Sequence, residues 1–235
     1  MIKAFFVDFY GTLVYEDGAI VKKITEEIFS KGEALNINEI SSYWWNNFQD
    51  MCLNSFDKNF ETQRAIEIKS IKNTISNFMS KANADIMSEW MFNYWIKPDI
   101  FSDTIEFFKN SPIPIYIVSN IDRDDVLSAI KYHSLKPCGI ITSEDAKCYK
   151  PREEIFKMAL KEFGLKKDEV IHIGDSINSD YKGASNVGIK ALWLNRNKKK
   201  VPDGIESISN LLEAMDKIYC QNNFFKYYCS FKPLF

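Results

Sequence analysis

The stretch Asp8-Phe-Tyr-Gly-Thr-Leu13 decides the fold of this chain. It follows the apolar run 2–7, which predicts a short buried strand. A carboxylate that leaves such a strand, with glycine in the turn and threonine just beyond, is placed to act as a nucleophile. A single motif of this kind also fits an aspartate that only caps the next element. Later segments decide between these two interpretations.

Three later segments carry polar residues in a matching order and spacing. Two of them are apolar runs, 115–118 and 170–173, that predict buried strands and end in polar side chains. The third is a lysine followed by proline and two glutamates, which favours the start of a helix. The polar residues of these segments are Ser119 and Asn120, Lys150, and Asp175 with Asp180.

Strand-like runs alternate with helical patterns from residue 112 onward. This alternation predicts an α/β fold with a Rossmann-like, doubly wound parallel sheet and helices on both faces. The site of such a sheet lies at the carboxyl ends of the strands, where Asp8, Ser119 and Asp175 are expected. The predicted strands are 113–118, 139–142, 170–173 and 190–194, and the predicted helices are 122–132, 151–163 and 179–186.

Residues 15–97 show helical periodicity without a strand-like run. We therefore predict an all-helical cap domain, 15–97, inserted into a core domain formed by 1–14 and 98–235. Its aromatic residues either line a substrate pocket or form the core of a small bundle. Two further polar residues either bind an anionic part of the substrate or belong to the surface. These candidates are Trp44, Trp45, Trp90 and Trp95, together with Gln63 and Arg64.

Composition excludes several classes of partner. The 235 residues include 32 acidic and 30 basic side chains, for a net charge of −2, so no nucleic-acid partner is predicted. No stretch approaches the ~20 apolar residues of a membrane span. Five cysteines without a CxxC pair, and no signal peptide, favour a cytoplasmic location. The aromatic tail 223–235 is expected to pack on its own domain or to form a homodimer.

Together the four segments resemble the motifs of the haloacid dehalogenase-like (HAD) hydrolase superfamily over almost the whole chain. Members with a helical cap at this point are usually hydrolases of small molecules. The resemblance implies that Asp8 attacks phosphorus and forms an aspartyl-phosphate, while Ser119 and the neighbouring backbone bind the phosphoryl oxygens. It implies that Lys150 neutralises negative charge on the nucleophile Asp8 and on the phosphoryl group. Tyr10, Thr12 and Asn120 belong to the same predicted catalytic set.

The resemblance also implies a magnesium site. Asp175 would bind Mg²⁺ together with Asp8 and the backbone carbonyl of Tyr10, and Asp180 would orient that site or join it through water. Mg²⁺ prefers carboxylates, substrate phosphate and waters as ligands. Phosphoryl transfer itself depends mostly on positioning and on stabilisation of charge.

Tyr10 departs from the phosphatase pattern, which has a second aspartate two residues after the nucleophile. That aspartate protonates the leaving group and then activates water. A phenol has an ordinary pKa of about 10 and is not a useful base at neutral pH. Tyrosine at this place resembles the L-2-haloacid dehalogenases, which use the same aspartate to displace halide from carbon without a metal.

Three other positions depart from that dehalogenase pattern. Those enzymes carry an arginine early in the cap, but the first arginine of this chain is Arg64. They carry a tyrosine six residues after the motif lysine, where this chain has Phe156, and usually a serine in place of Asp175. His172, within the run 170–173, is interpreted as a core or interface residue.

Charge counting favours the metal-dependent alternative. Asp8, Asp175 and Asp180 are expected to converge with Lys150 as the one evident cation, and unpaired buried carboxylates are costly. We therefore predict an Mg²⁺-dependent phosphatase of a small phosphorylated metabolite. Two alternatives remain open: a metal-independent dehalogenase, and a catalytically weak HAD-fold binding or regulatory protein, which loss of the acid/base aspartate would explain.

Overall fold

The structure, a computed structural model, describes residues 1–16 and 18–221. The aromatic tail 223–235 lies outside the described residues, so its predicted part in a homodimer stays a prediction. Within the described residues, every helix is too short or too polar to cross a membrane.

One six-stranded parallel sheet organises the described chain. In chain order its strands are β1 (Ala4–Val7), β2 (Ile115–Ser119), β3 (Gly139–Thr142), β4 (Val170–Gly174), β5 (Lys190–Leu194) and β6 (Ser207–Ile208). Their order across the sheet is β3-β2-β1-β4-β5-β6, which places β1 between β2 and β4. Val7 pairs in register with Ile117 and Ile173, so the residues that follow these three strands emerge side by side. The predicted doubly wound α/β fold is confirmed.

Ten α-helices accompany the sheet in the described residues. Those between β1 and β2 are α1 (Gly18–Ser30), α2 (Ile37–Asn54), α3 (Gln63–Asn77), α4 (Ala84–Trp95) and α5 (Ser102–Asn110). The later ones are α6 (Arg123–His133), α7 (Ser143–Ala146), α8 (Glu153–Glu162), α9 (Gly183–Asn186) and α10 (Leu212–Gln221). Single turns of 3₁₀-helix occupy Asp57–Asn59 and Lys167–Glu169.

The strands bury both of their faces against helices. Phe5 and Val7 of β1 belong to one hydrophobic cluster and Phe6 belongs to another, because successive side chains of a strand point to opposite faces. Helices α5, α6 and α10 supply side chains to the first cluster, and α8 and α9 supply side chains to the second. These contacts place helices on both sides of the sheet.

Helices α1–α4 fall within the segment 15–97, for which helical structure was predicted. Three of them start at polar caps: the side chains of Asn36, Thr62 and Asn83 accept hydrogen bonds from the first turns of α2, α3 and α4. Such caps satisfy amide groups that have no partner inside the helix. The division of the chain into a cap domain and a core domain stays a prediction.

Several predicted boundaries differ from the structure. The helix predicted at 151–163 starts at Glu153, because Arg152 is extended and serves as its N-cap. The segment predicted as the helix 179–186 begins instead as a π-helical turn, Ile177–Lys182, which leads into α9. The Ser176 carbonyl accepts hydrogen bonds from the amides of Asp180 and Tyr181, and the second of these spans five residues.

Four strands and helices outside 15–97 were not predicted, namely β6, α5, α7 and α10. Strand β6 has two residues, too few for an alternating pattern to be recognised. Helices α5, α7 and α10 are short, with 9, 4 and 10 residues.

A mostly buried ion pair between Arg196 and Asp103 links the segment after β5 to helix α5. Arg196 also contacts the segment that follows β1. The Arg196 guanidinium donates to both carboxylate oxygens of Asp103 at 3.0 Å and to the Thr12 carbonyl at 2.7 Å. Asp103 also accepts from the Leu211 amide at 2.8 Å. Buried charges are tolerated when they are paired and hydrogen-bonded, whereas removing one member of the pair leaves the other charge uncompensated.

We expect Asp103→Ala to lower the free energy of unfolding by about 2 kcal/mol, because it removes the carboxylate that accepts hydrogen bonds from Arg196 and from the Leu211 amide. Urea unfolding followed by circular dichroism measures this. Glu106→Ala, at an exposed position of α5, is the matched control and should change the free energy of unfolding by less than about 0.5 kcal/mol. Equal effects of the two variants would contradict the structural role of the pair.

Candidate active site

A cavity of about 370 Å³ opens at the carboxyl ends of β1, β2 and β4. Seven of the predicted site residues line it, and the eighth, Thr12, contacts one of them. The seven are Asp8, Tyr10, Ser119, Asn120, Lys150, Asp175 and Asp180. The register of the three strands brings these residues together although they lie far apart in sequence.

Lys150 lines the cavity between Asp8 and Asp180. Its ammonium group, which is almost fully buried, donates to Asp8 Oδ1 at 2.7 Å, to Asp180 Oδ1 at 2.6 Å and to the Val118 carbonyl at 3.1 Å. An ammonium has three donors, so these contacts use all of them. Lys150 is therefore held in one orientation between two carboxylates.

Asn120 fixes the backbone of Lys150. Its side-chain oxygen accepts from the Lys150 amide at 2.7 Å, and its side-chain nitrogen donates to the Lys150 carbonyl at 3.3 Å. These contacts make Asn120 a positioning residue for the lysine. A direct catalytic role of Asn120 stays a prediction.

Asp180 is fully engaged by the protein. Its Oδ1 accepts from Lys150 and from His172 Nε2 at 2.9 Å, and its Oδ2 accepts from the Ser176 amide at 3.1 Å. Gly174 makes room for this carboxyl group, since a Cβ atom there would lie 2.1 Å from Asp180 Cγ. Asp180 thus orients Lys150, and His172 has a role that its place in an apolar strand did not reveal.

Asp175 faces the cavity beside Asp8. Thr12 holds it: the Thr12 hydroxyl donates to Asp175 Oδ1 at 3.3 Å and accepts from the Asp175 amide at 3.2 Å. The Trp193 indole donates to the Asp175 carbonyl at 2.7 Å. Gly11, with φ +78°, approaches so closely that a Cβ atom would lie 2.6 Å from the carboxyl carbon. Only glycine combines this backbone conformation with this approach.

Burial and like charges act on the carboxyl groups in different ways. Burial, followed by the charges of Asp180 and Asp8, raises the pKa of Asp175 well above its ordinary value. Burial also raises the pKa of Asp8, although Lys150 and a hydrogen bond from Ser119 act in the opposite direction. Asp8 and Asp175 are therefore the two carboxylates whose negative charge the protein compensates least.

Asp180 and its partners show the opposite pattern. Burial acts to raise the pKa of Asp180, but Lys150 and His172 outweigh it and hold that pKa at about 2. Burial acts to lower the pKa of Lys150, but Asp180 and Asp8 outweigh it and raise the pKa. Burial lowers the pKa of His172, which disfavours the charged form of this imidazole.

The carboxylates fit a divalent cation. One oxygen each from Asp8, Asp175 and Asp180 lies within 4.8 Å of the others. Carboxylate oxygens are the ligands that Mg²⁺ prefers, and a cation beside Asp8 and Asp175 would favour the charged form of both. The contacts of Asp180 with Lys150 and His172 leave Asp8 and Asp175 as the residues best placed for direct coordination.

Tyr10 reaches across the cavity to α4. Its hydroxyl donates a hydrogen bond to the backbone carbonyl of Trp95, at the C-terminal end of that helix. The ring packs edge to face on Phe9, with centroids 5.3 Å apart. The phenol proton is thus directed to a carbonyl of the cap segment and not to the position beside Asp8.

The predicted cap residues divide between the cavity and other contacts. Trp44, Trp45 and Trp95 line the cavity together with Gln63. Trp90 instead packs under the ammonium group of Lys23, 3.5 Å from the ring centroid.

Arg64 contributes to contacts between α3 and α6 instead of lining the cavity. It forms a two-point ion pair with Asp125, with distances of 2.8 and 2.5 Å. The Asp122 carboxylate accepts from the amides of Gln63 and Arg64 at 2.7 and 2.9 Å, at the start of α3. Sequence reasoning missed Asp122, and it missed Glu67, a buried cavity-lining residue one helical turn after Gln63.

Comparison with known proteins gives the family. The family model of haloacid dehalogenase-like hydrolases matches residues 2–188. The chain therefore belongs to the haloacid dehalogenase-like hydrolase family, and the resemblance inferred from its motifs is confirmed.

Individual relatives match parts of the chain. Haloacid dehalogenase-like hydrolase domain-containing protein 3 of Danio rerio is 31% identical over 130 residues, 51% of each protein. The glyceraldehyde 3-phosphate phosphatase of Pyrococcus furiosus is 49% identical over 49 residues, 21% of this chain and 20% of the relative. The chain thus spans about half or less of the length of these relatives.

A solved structure matches nearly the whole fold. The L-2-haloacid dehalogenase from Xanthobacter autotrophicus superposes with a TM-score of 0.72, covering 93% of this chain and 98% of its own, at 15% sequence identity. At that identity the likeness shows the shared fold.

We expect Mg²⁺ to raise the thermal unfolding midpoint of the protein and Asp175→Asn to remove most of that rise. A ligand that binds only the folded state stabilises it by mass action, and asparagine at this place supplies no charge. Differential scanning fluorimetry with and without Mg²⁺ measures the rise. Asp168→Asn, at an exposed position, is the control and should keep the rise of the native protein. The same rise in Asp175→Asn as in the native protein would place the metal elsewhere.

Proposed function

We propose that the protein is an Mg²⁺-dependent phosphatase of a small phosphorylated metabolite. The observation that carries this proposal is the convergence of Asp8, Asp175 and Asp180 on a cavity where Lys150 is the one cationic side chain among the described lining residues. Phosphoryl transfer needs positive charge near the reacting oxygens, and this cavity has sites for a divalent cation. The phosphatases among the relatives act on compatible substrates.

Asp8 is the proposed nucleophile. One of its oxygens would form a bond to phosphorus while the bond from phosphorus to the ester oxygen breaks. Lys150, fixed by Asp180 and Asn120, would hold Asp8 ionised and stabilise charge on the phosphoryl oxygens. The Ser119 hydroxyl, already hydrogen-bonded to Asp8, would bind a phosphoryl oxygen.

Mg²⁺, when bound by Asp8, Asp175 and the Tyr10 carbonyl, would supply further positive charge to the phosphoryl group. Water would then attack phosphorus of the aspartyl-phosphate and release inorganic phosphate and the Asp8 carboxylate. The departing ester oxygen needs a proton, and no carboxyl group stands two residues after Asp8 to give it. Good leaving groups, which need no proton, should therefore be favoured.

The site differs from the dehalogenase pattern at two positions. Phe156, where the dehalogenase pattern has tyrosine, is fully buried and packs edge to face on His172, with centroids 5.1 Å apart. Asp175 adds a carboxylate where that pattern has serine, which increases the excess of negative charge. Both features favour phosphoryl chemistry with a cation over halide displacement.

We further propose that 15–97 acts as the cap domain and sets the substrate, because α2, α3 and α4 supply part of the cavity wall. A cytoplasmic location stays a prediction.

We expect the protein to hydrolyse phosphate monoesters in Mg²⁺ and Asp8→Asn to lose at least about 10³-fold of that rate, because an amide is not a nucleophile. Phosphate release from p-nitrophenyl phosphate and acetyl phosphate, with Mg²⁺ or with EDTA, measures the rate. 2-Chloropropionate is assayed in parallel for chloride release.

Asp124→Asn, at an exposed position of α6, is the matched control and should keep the native rate. Chloride release that persists in EDTA, without phosphatase activity, would support the dehalogenase alternative. Failure to turn over either class of substrate would support the binding or regulatory alternative.

We expect Tyr10→Asp to make the rate less dependent on the leaving group, because it places an acid/base carboxyl group two residues after Asp8. General acid–base catalysis contributes about 10²–10⁴-fold, and alkyl phosphates should gain most of it. Steady-state rates for a series of aryl and alkyl phosphates measure this dependence.

Tyr10→Phe is the control for this series. Its dependence on the leaving group should match that of the native protein, because the native phenol proton is directed to Trp95. A selective loss of alkyl phosphate turnover in Tyr10→Phe would show that the phenol itself protonates the leaving group.

A further inference from the structure

A second cavity of about 380 Å³, called here the second chamber, adjoins the active-site cavity. Several residues line both spaces, among them Asn120 and Lys150 of the active site. The second chamber therefore lies next to the reacting centre, where the organic part of a phosphate ester has room to extend. The residues that line the second chamber alone are Cys52, Leu53, Tyr149, Pro151, Lys182 and Asn186.

The two spaces differ in the charge of their lining. The active-site cavity is lined by Asp8, Asp175 and Asp180, whereas no aspartate or glutamate lines the second chamber in the described part of the chain. The charged side chains of the second chamber are those of Lys150 and Lys182. An anionic group in this chamber would therefore meet cations and neutral polar groups, without a lining carboxylate to repel it.

Lys182 is the cation of this chamber that has donors to spare. The ammonium group of Lys150 uses all three of its donors within the protein. The ammonium group of Lys182, at the end of the π-helical turn, donates to Asn178 Oδ1 at 3.1 Å and forms no ion pair with a residue that the structure describes. An ammonium has three donors, so Lys182 retains two for a ligand.

Amide side chains of the second chamber are also uncommitted. Gln63 lines both spaces, and its buried side-chain oxygen has no hydrogen-bond partner among the described residues. The backbone of Gln63 is nevertheless fixed, because its amide donates to the Asp122 carboxylate at 2.7 Å. Buried polar groups are normally paired, so an unpaired amide beside a cavity indicates a place for a polar ligand. Amide N–H groups, like ammonium groups, donate hydrogen bonds to anionic oxygens.

We propose that the second chamber binds a second anionic group of the substrate, with Lys182 as the cation that pairs with it. The substrate class is thus that of small phosphate monoesters that carry a further phosphate or a carboxylate. Hydrogen bonds between an ammonium group and such anions are stronger than those between neutral groups, so Lys182 would distinguish these esters from neutral ones. The proposal rests on the phosphatase function proposed above.

Binding of two matched pairs of esters tests the proposal on the full chain with Mg²⁺, in the Asp8→Asn variant so that the ligands are not consumed. Fructose 1,6-bisphosphate is compared with fructose 6-phosphate, and 3-phosphoglycerate with glycerol 3-phosphate, by isothermal titration calorimetry. We expect Kd to be at least about fivefold lower for the ester with the second anionic group. A preference in the sugar pair identifies phosphate as that group, and a preference in the glycerol pair identifies a carboxylate. Equal Kd values within both pairs would overturn the proposal.

Lys182→Gln separates the charge of Lys182 from its capacity to donate hydrogen bonds. Added to the Asp8→Asn variant, it should weaken binding of the preferred ester and reduce the preference within that pair to less than about twofold. Lys182 is exposed, so this substitution tests binding without removing a buried group. Lys161→Gln, which removes the same charge at an exposed position of α8 outside both cavities, should keep the full preference. The full preference in Lys182→Gln would overturn the assignment of Lys182.

Turnover by the native protein keeps this proposal separate from the phosphatase function. p-Nitrophenyl phosphate and acetyl phosphate carry no second anionic group, so their hydrolysis tests the phosphatase function alone. If neither is hydrolysed, that function fails, and the Kd values still decide whether the second chamber binds an anionic group. If both are hydrolysed, the preferred ester should also have a kcat/KM at least about fivefold higher than its neutral counterpart. A higher kcat/KM for the neutral ester in both pairs would overturn the proposal.

Discussion

The active site depends on one buried ammonium group placed between two carboxylates. Lys150 lies 2.7 Å from Asp8 and 2.6 Å from Asp180, and three segments that are distant in sequence must converge to make these contacts. Desolvating such charges is costly unless every donor and acceptor is satisfied. The Val118 carbonyl and the His172 imidazole supply further hydrogen bonds to Lys150 and Asp180, so the geometry of the site is tied to the packing of the sheet.

This arrangement divides the carboxylates into two kinds. Asp180 is compensated by Lys150 and His172 and has a low pKa, which suits a residue that positions others. Asp8 and Asp175 are compensated less, and burial raises the pKa of each. A divalent cation would supply the positive charge that the protein itself leaves out, so the unbalanced charge is the physical basis of the proposed metal dependence.

The sequence predicted the sheet and the residues at its carboxyl edge, because motif spacing and apolar runs are local signals. The positions of Asp8, Ser119 and Asp175 could be predicted without knowledge of the packing, since parallel strands bring their ends together. Contacts between the cap segment and the core were not predictable in this way. The Trp95 carbonyl that accepts the hydrogen bond from Tyr10 lies 85 residues further along the chain. The place of Glu67 in the cavity lining depends on how α3 packs. The hydrogen bond of His172 likewise depends on where the π-helical turn places Asp180.

The position of an oxygen label after turnover in H₂¹⁸O tests the central claim most directly. If Asp8 attacks phosphorus and water then attacks the aspartyl-phosphate at phosphorus, ¹⁸O appears in the released phosphate and the Asp8 carboxylate stays unlabelled. Mass spectrometry of the phosphate and of the peptide that contains Asp8 distinguishes the two sites. An alkyl ester of Asp8, the intermediate of halide displacement, is hydrolysed at its carbonyl carbon, so ¹⁸O accumulating in Asp8 during turnover would contradict the account.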